Sequence, residues 1–118
     1  MKRHNLLVPL SQEHHHTLAL CLRLLRTPEQ DSRAEIEPYL PTLLAHFVEE
    51  EQQFAPLWEK IDRPELKKQF EDDHAILRAM AGAPHYGEAL WNKQFAEALR
   101  AHVRFEEREL FPAAQPFL

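Results

Sequence analysis

The chain predicts an all-α protein, an antiparallel up-down-up-down four-helix bundle. Three observations carry that prediction. Four long segments show helical periodicity between proline-marked boundaries. The 118 residues include only 2 Gly, too few for a fold built on many tight turns, and no segment alternates like a strand. The connections between segments are short, which favours antiparallel neighbours.

The first helix is expected over about residues 11–26. Ser11 offers an N-cap and Glu13 an acid in the first turn. Leu18, Cys21, Leu22 and Leu25 follow the spacing of one buried face, and Thr27-Pro28 ends the run. The second helix starts between Ser32 and Pro41. Ser32 with Glu35 forms a capping-box pattern, but Pro38 and Pro41 blur the start. It then runs to about Lys60, with Leu40, Leu43, Leu44, Phe47, Phe54 and Leu57 available to the core. The third spans about 62–82. Asp62 reads as its N-cap, Pro64 suits its first turn, and Gly82 with Pro84 stops it. Phe70, Leu77, Met80 and Ala81 form its stripe. The fourth spans about 87–111, with Leu90, Phe95, Leu99, Val103 and Leu110 for burial.

At this length the chain forms one domain, residues 1–118. One cysteine excludes an internal disulfide, and Cys21 on the apolar face reads as a small buried residue. No apolar run reaches the 18 or so residues of a membrane span, and the N-terminal apolar run is too short for a secretory signal, so a cytoplasmic location is expected. The net charge is −5, and neither half is basic: residues 1–60 hold 6 Lys/Arg against 9 Asp/Glu, residues 61–118 hold 8 against 10. That argues against a nucleic-acid partner. No phosphate-binding Gly loop, G-x-S-x-G or C-x-x-C occurs. The unusual count is 8 His, which asks for a metal or a pH explanation.

The halves repeat weakly, and the match falls on polar residues. Both copies read H-x-x-x-E-E-x-x-[F/L]-x-P: His46, Glu50, Glu51, Phe54, Pro56, and His102, Glu106, Glu107, Leu110, Pro112. The first and third helices also correspond, Glu13-His14 or His14-His15 with Asp73-His74. The chain thus divides into two helical hairpins, about 10–60 and 62–112. Residues i and i+4 lie about 40° apart around a helix and about 6 Å along it. His46 with Glu50, and His102 with Glu106, can each face one cavity. Imidazoles with carboxylates suit iron, manganese or zinc, and a carboxylate from each of two helices can bridge a metal pair. Such a set is costly in a dry core without a cation. One H-x-x-x-E is commonly a solvated pair; two on corresponding helices, each with a proline ten residues after the His, are not readily coincidental.

On these residues the chain resembles the hemerythrin-like, or HHE cation-binding, family, through EHHHTL (13–18), HFVEEEQQFAPLW (46–58), DHAIL (73–77) and HVRFEERELFP (102–112). The resemblance implies a non-haem diiron centre with two irons per chain, zinc or manganese being alternatives. His46, His74 and His102 would be imidazole ligands, and Glu50 and Glu106 bridging carboxylates. The first-helix ligand is His14 or His15. Matching of the acid-His pairs points to His14 and apolar register to His15; His14 lies nearer the centre of the stripe and is preferred, with His15 in reserve. His16 points away. Oxygen-carrying members have a further His one turn after the third-helix ligand, where this chain has Arg78; water, Glu71 or His15 could take that place.

The function implied is binding or sensing of a small diatomic ligand, O2 or NO, or of iron itself. The alternatives are a diiron oxidase or peroxidase, and a metal-free helical interaction module. Glu49, Glu51, Glu107 and Glu109 are expected in solvent or orienting imidazole N–H groups. His4 and His85 are expected at the surface, and Trp58 and Trp91 as packing anchors. Pro56 and Pro112 fall near the ends of the ligand helices.

Overall fold

The computed structural model describes residues 3–118, which are all-helical with no strand among them. Four long helices make the body: α1 (Val8–Arg26), α2 (Arg33–Phe54), α4 (Pro64–Gly82) and α5 (Ala89–Phe105), with the single-turn α3 (Trp58–Ile61) between α2 and α4. A π turn (Glu106–Leu110), the short α6 (Phe111–Ala114) and a 3-10 turn (Gln115–Phe117) complete the chain. Each long helix packs on two others: α1 on α5 and α2, α4 on α5 and α2. The 43 Å long dimension accommodates the 22-residue α2, about 33 Å at 1.5 Å per residue.

Several boundaries differ from those the sequence predicts. The first helix begins three residues early, at Val8, with Pro9 in its first turn. Ser11 is therefore inside the helix and donates its hydroxyl to Glu107 at 2.7 Å. Its buried face is Leu10, His14, Thr17, Cys21 and Leu24, while Leu22 is 47% exposed. The apolar stripe misleads because two polar residues face the core. Pro38 and Pro41 lie within α2. The carbonyls they leave without an N–H partner belong to Ala34 and Glu37, both exposed, so water can satisfy them. Ser32 occupies the N-cap position but makes no side-chain cap. The second helix stops at Phe54, ahead of Pro56, and Leu44 points outward.

Asp62 does not cap α4. It ends α3 in the left-handed region (φ 52°), which an Asp tolerates, and Arg63 takes the N-cap position. The fourth helix starts at Ala89, and Leu90 is 65% exposed. Its α-helical hydrogen bonding ends at Phe105, where the π turn begins; the N–H of Phe111 donates to the carbonyl of Glu106, five residues back. The proline of the repeat is thus met in two ways. The chain stops its helix before Pro56 but widens it by a π turn before Pro112.

The apolar core is in two pieces. One gathers Cys21, Leu24, Ile36, Tyr39, Leu43, Phe47, Leu77, Trp91, Phe95 and Leu99. The other gathers Leu7, Leu10, Phe54, Leu57, Leu66, Phe70, Phe105, Leu110 and Phe111. Along every long helix a polar residue separates the two: His14, His46 with Glu50, His74, and His102 followed by Glu106. Trp91 stacks on Phe95 (4.8 Å between ring centres), and Trp58, partly buried, packs on Phe54 and Phe70. Asn92, fully buried, ties two connections together. Its amide donates to the carbonyls of Pro28 (2.9 Å), Gln30 (3.3 Å) and Tyr86 (3.0 Å), and its oxygen accepts from Ser32 (2.6 Å).

Candidate metal centre

His14, His46, Glu50, His74, His102 and Glu106 converge midway along the bundle, each at most 7% exposed. Their ligand atoms form two overlapping groups. His14, His46, Glu50 and Glu106 make one; Glu50, His74, His102 and Glu106 make the other; within each, the atoms lie within 4.8 Å of one another. The two imidazoles of a group come from consecutive long helices, α1 with α2 or α4 with α5, and both groups share the two carboxylates. His15 and His16 are exposed. Glu71 is also exposed and belongs to neither group, and Arg78 points its guanidinium at Glu51 instead. His85 is exposed as expected, whereas His4 is half-buried, its Nδ1 accepting from the N–H of Leu6.

Every imidazole is held from behind. His14 donates its Nδ1–H to Glu107 (2.7 Å), His74 to Glu51 (2.8 Å), His102 to Asp73 (2.8 Å) and His46 to Glu13. The pairs close a ring around the bundle. An acid of α1 holds the His of α2, one of α2 holds that of α4, one of α4 holds that of α5, and one following α5 holds that of α1. Each acid is next in sequence to an inward-facing residue of its own helix: Glu13 to His14, Glu51 to Glu50, Asp73 to His74, Glu107 to Glu106. This fixes the tautomer. An ionised carboxylate only accepts, so Nδ1 carries the proton and a neutral ring turns the lone pair of Nε2 inward.

The inward atoms then face one another. Nε2 of His46 lies 3.4 Å from Glu50, that of His74 3.3 Å from Glu50, that of His102 3.4 Å from Glu106 and that of His14 3.0 Å from Glu106. Nε2 of His46, His74 and His102, both oxygens of Glu50 and one of Glu106 are buried without a hydrogen bond. Lone pairs set against lone pairs in a water-poor core call for a positive charge between them, either protons or cations. The donor set, four imidazoles and two carboxylates, fits a pair of divalent first-row metals.

Without a metal, protons must fill the site. Burial lowers the pKa of His46, but Glu50, Glu13 and Glu106 outweigh it and raise it to about 9. Burial likewise opposes a charge on His102, yet Glu106 and Asp73 raise it to about 10. The pKa of His14 is raised as well, Glu106 and Glu107 overcoming burial. Burial and then the neighbouring Glu106 push the Glu50 carboxyl up. Burial would raise Glu106 too, but His102 and its other partners hold it well below the ordinary range. Within the ring, Arg78 lowers the pKa of Glu51 against the opposing effect of burial, and His74 lowers it further.

Beside the cluster lies an apolar cavity of ≈ 10 Å³, walled by Thr17, Leu43, Phe47, Leu99 and Val103 and by His14, His46, His102 and Glu106. A larger pocket, ≈ 180 Å³, is lined by Glu13, His16, Thr17, Tyr39, Thr42, Leu43 and His46, so the two share Thr17, Leu43 and His46. The hydroxyls of Thr17 and Tyr39 hydrogen-bond to each other here. Sequence reasoning gave neither residue a role, although Thr17 lies within the EHHHTL segment.

The family model of the hemerythrin HHE cation binding domain matches residues 6–114, nearly the whole chain. No curated protein and no solved structure matches the chain significantly.

Proposed function

The chain belongs to the hemerythrin HHE cation-binding family, and from that membership we propose that it is a non-haem diiron protein that binds or senses O2 or NO, or responds to iron itself. In this reading residues 1–118 form one domain, with α1, α2, α4 and α5 running up-down-up-down. His14 and His46 would hold one iron and His74 and His102 the other, with Glu50 and Glu106 available to both. The observation that carries the reading is the pair of overlapping donor groups sharing two carboxylates. Iron is favoured over zinc and manganese by the family resemblance. Bound iron supplies an open coordination position and a one-electron couple.

The chain's own residues shape what can reach that position. The cavity between His14, His46, His102 and Glu106 is about the size of one water molecule, so it has room for a diatomic ligand. Leu43, Leu99, Val103 and Phe47 supply its apolar walls. Arg78, paired with Glu51 outside the cluster, adds no imidazole. The site is therefore one imidazole short of the oxygen carriers, and sensing is favoured over reversible carriage.

The test is elemental analysis of protein expressed with iron and purified without chelator, followed by the optical spectrum with and without O2 or NO. Two irons per chain and a reversible spectral change are expected. Zinc, or no metal after reconstitution, would overturn the reading. Sustained peroxide turnover would replace it with the enzyme.

A further inference from the structure

Two arginines from unrelated parts of the sequence make the same pair of contacts. Arg78 of α4 holds Glu51 with two bonds, 2.6 and 2.8 Å, and lies 5.7 Å over the ring of Phe47. Glu51 accepts from Nδ1 of His74, and the Phe47 ring stacks on the same imidazole at 4.2 Å. Arg3, ahead of α1, donates from one nitrogen to the backbone carbonyl of Glu107 and, at 3.2 Å, to its carboxylate, and lies 5.6 Å over Phe111. Glu107 accepts from Nδ1 of His14, and Phe111 stacks on that ring at 5.7 Å with 8° between the planes. Each arginine thus grips both the carboxylate and the aromatic ring that hold one imidazole.

The other two imidazoles lack this backing. Among the described residues, Glu13 on His46 has no cationic side chain beside it, and Asp73 on His102 has only the amide of Gln69, at 3.0 Å. The arrangement does not come from the sequence repeat: the residue corresponding to Arg78 in the first half is Leu18, four after His14. Each donor group nevertheless contains one imidazole of each kind, His14 with His46 and His74 with His102.

A carboxylate bonded to Nδ1–H pushes electron density towards Nε2, and a guanidinium on that carboxylate draws it away. We infer that Arg3 and Arg78 are positioning residues that weaken the pull of Glu107 and Glu51 on His14 and His74, leaving each metal one weaker and one stronger imidazole donor. The inference rests on the diiron reading above and concerns the strength of the ligands, not their identity.

The experiment uses the full chain loaded with iron and measures metal content and midpoint potential in the parent, Arg78→Gln, Arg78→Lys, Arg3→Gln and Glu51→Gln. Removing either guanidinium frees the carboxylate to strengthen its imidazole, so both Gln variants at arginine should shift the potential negative while keeping iron content within about twofold of the parent. Arg78→Lys should restore most of the parental value. Glu51→Gln removes the negative charge and should shift the potential the opposite way. An unmoved potential in both arginine variants, or a shift in the same direction as Glu51→Gln, would overturn the inference. A parent without iron would overturn it together with the diiron reading, whereas a parent with two irons and unmoved variants sinks the tuning alone.

Discussion

Glu13 of α1 accepts the Nδ1–H of His46 on α2, not that of its sequence neighbour His14, which is held by Glu107 from the far end of the chain. The acid that precedes a ligand therefore serves the next helix. Each link of the resulting ring joins two helices, so the ring orients four imidazoles and at the same time fixes the rotation of the helices that carry them.

Removing one link should weaken metal binding without unfolding the protein. Glu13→Gln and Asp73→Asn each keep an oxygen for the Nδ1–H but lose the charge. Each is expected to cost about 10- to 100-fold in metal affinity. Competition with a chelator of known affinity measures it, and equal affinity in parent and variants would show that the ring is not felt at the metals.

The shared carboxylates should be more critical than any single imidazole. Glu50→Ala with Glu106→Ala removes the only side chains common to both donor groups. The double variant is expected to purify without metal while remaining helical by circular dichroism. Full metal occupancy would remove both residues from the site.

Metal-free and metal-loaded protein should respond oppositely to pH. His46 and His102 have pKa values raised to about 9 and about 10 in the folded metal-free protein. Raised values mean stability that is fully present below the unfolded imidazole pKa of about 6.5 and is lost as pH rises through 9 to 10. The melting temperature of the metal-free protein should therefore fall between pH 7 and 10. Metal binding must displace those protons, so affinity should weaken as pH falls, and loading at pH 7 should release at least two protons per chain, one from each ring. Calorimetry in buffers of different ionisation enthalpy counts them; no proton release would mean the site is neutral before loading.

Asn92 should be a stability residue with no effect on the metals. Asn92→Ala removes one acceptor of the Ser32 hydroxyl and one donor to each of the Pro28, Gln30 and Tyr86 carbonyls. Tyr86 keeps the Ser32 N–H and hydroxyl as donors and exposed Gln30 can turn to water, so a loss of about 1–3 kcal/mol, the cost of roughly one unpaired buried group, is expected. Chemical denaturation gives the loss, and unchanged metal content separates it from the site.

The helices were legible where a local signal and a tertiary requirement agreed, as at Pro64, which opens α4, and Gly82, its last residue. They were misread where a local signal had another use. Ser11 looks like a cap but donates to Glu107, and Asp62 looks like a cap but ends α3 in the left-handed region. Leu22 fits an apolar stripe, yet the buried face passes through His14 and Thr17, so counting apolar residues alone rotates the helix away from its true inner side.

What the sequence determined by itself is the intrahelical part of the site. The 3.6-residue repeat puts His46 with Glu50 on one face, and the H-x-x-x-E-E spacing recurs in the second half. The tertiary structure decided everything that crosses between helices. It chose which acid backs which imidazole, turned His14 inward and His15 outward, inserted the π turn at Glu106 and brought Arg3 beside Glu107 across 104 positions of sequence. Intrahelical geometry is set by local hydrogen bonds and can be counted along the chain. Contacts between helices depend on how each helix is rotated against its neighbours, and that rotation is fixed only when the two apolar cores close around the polar layer between them.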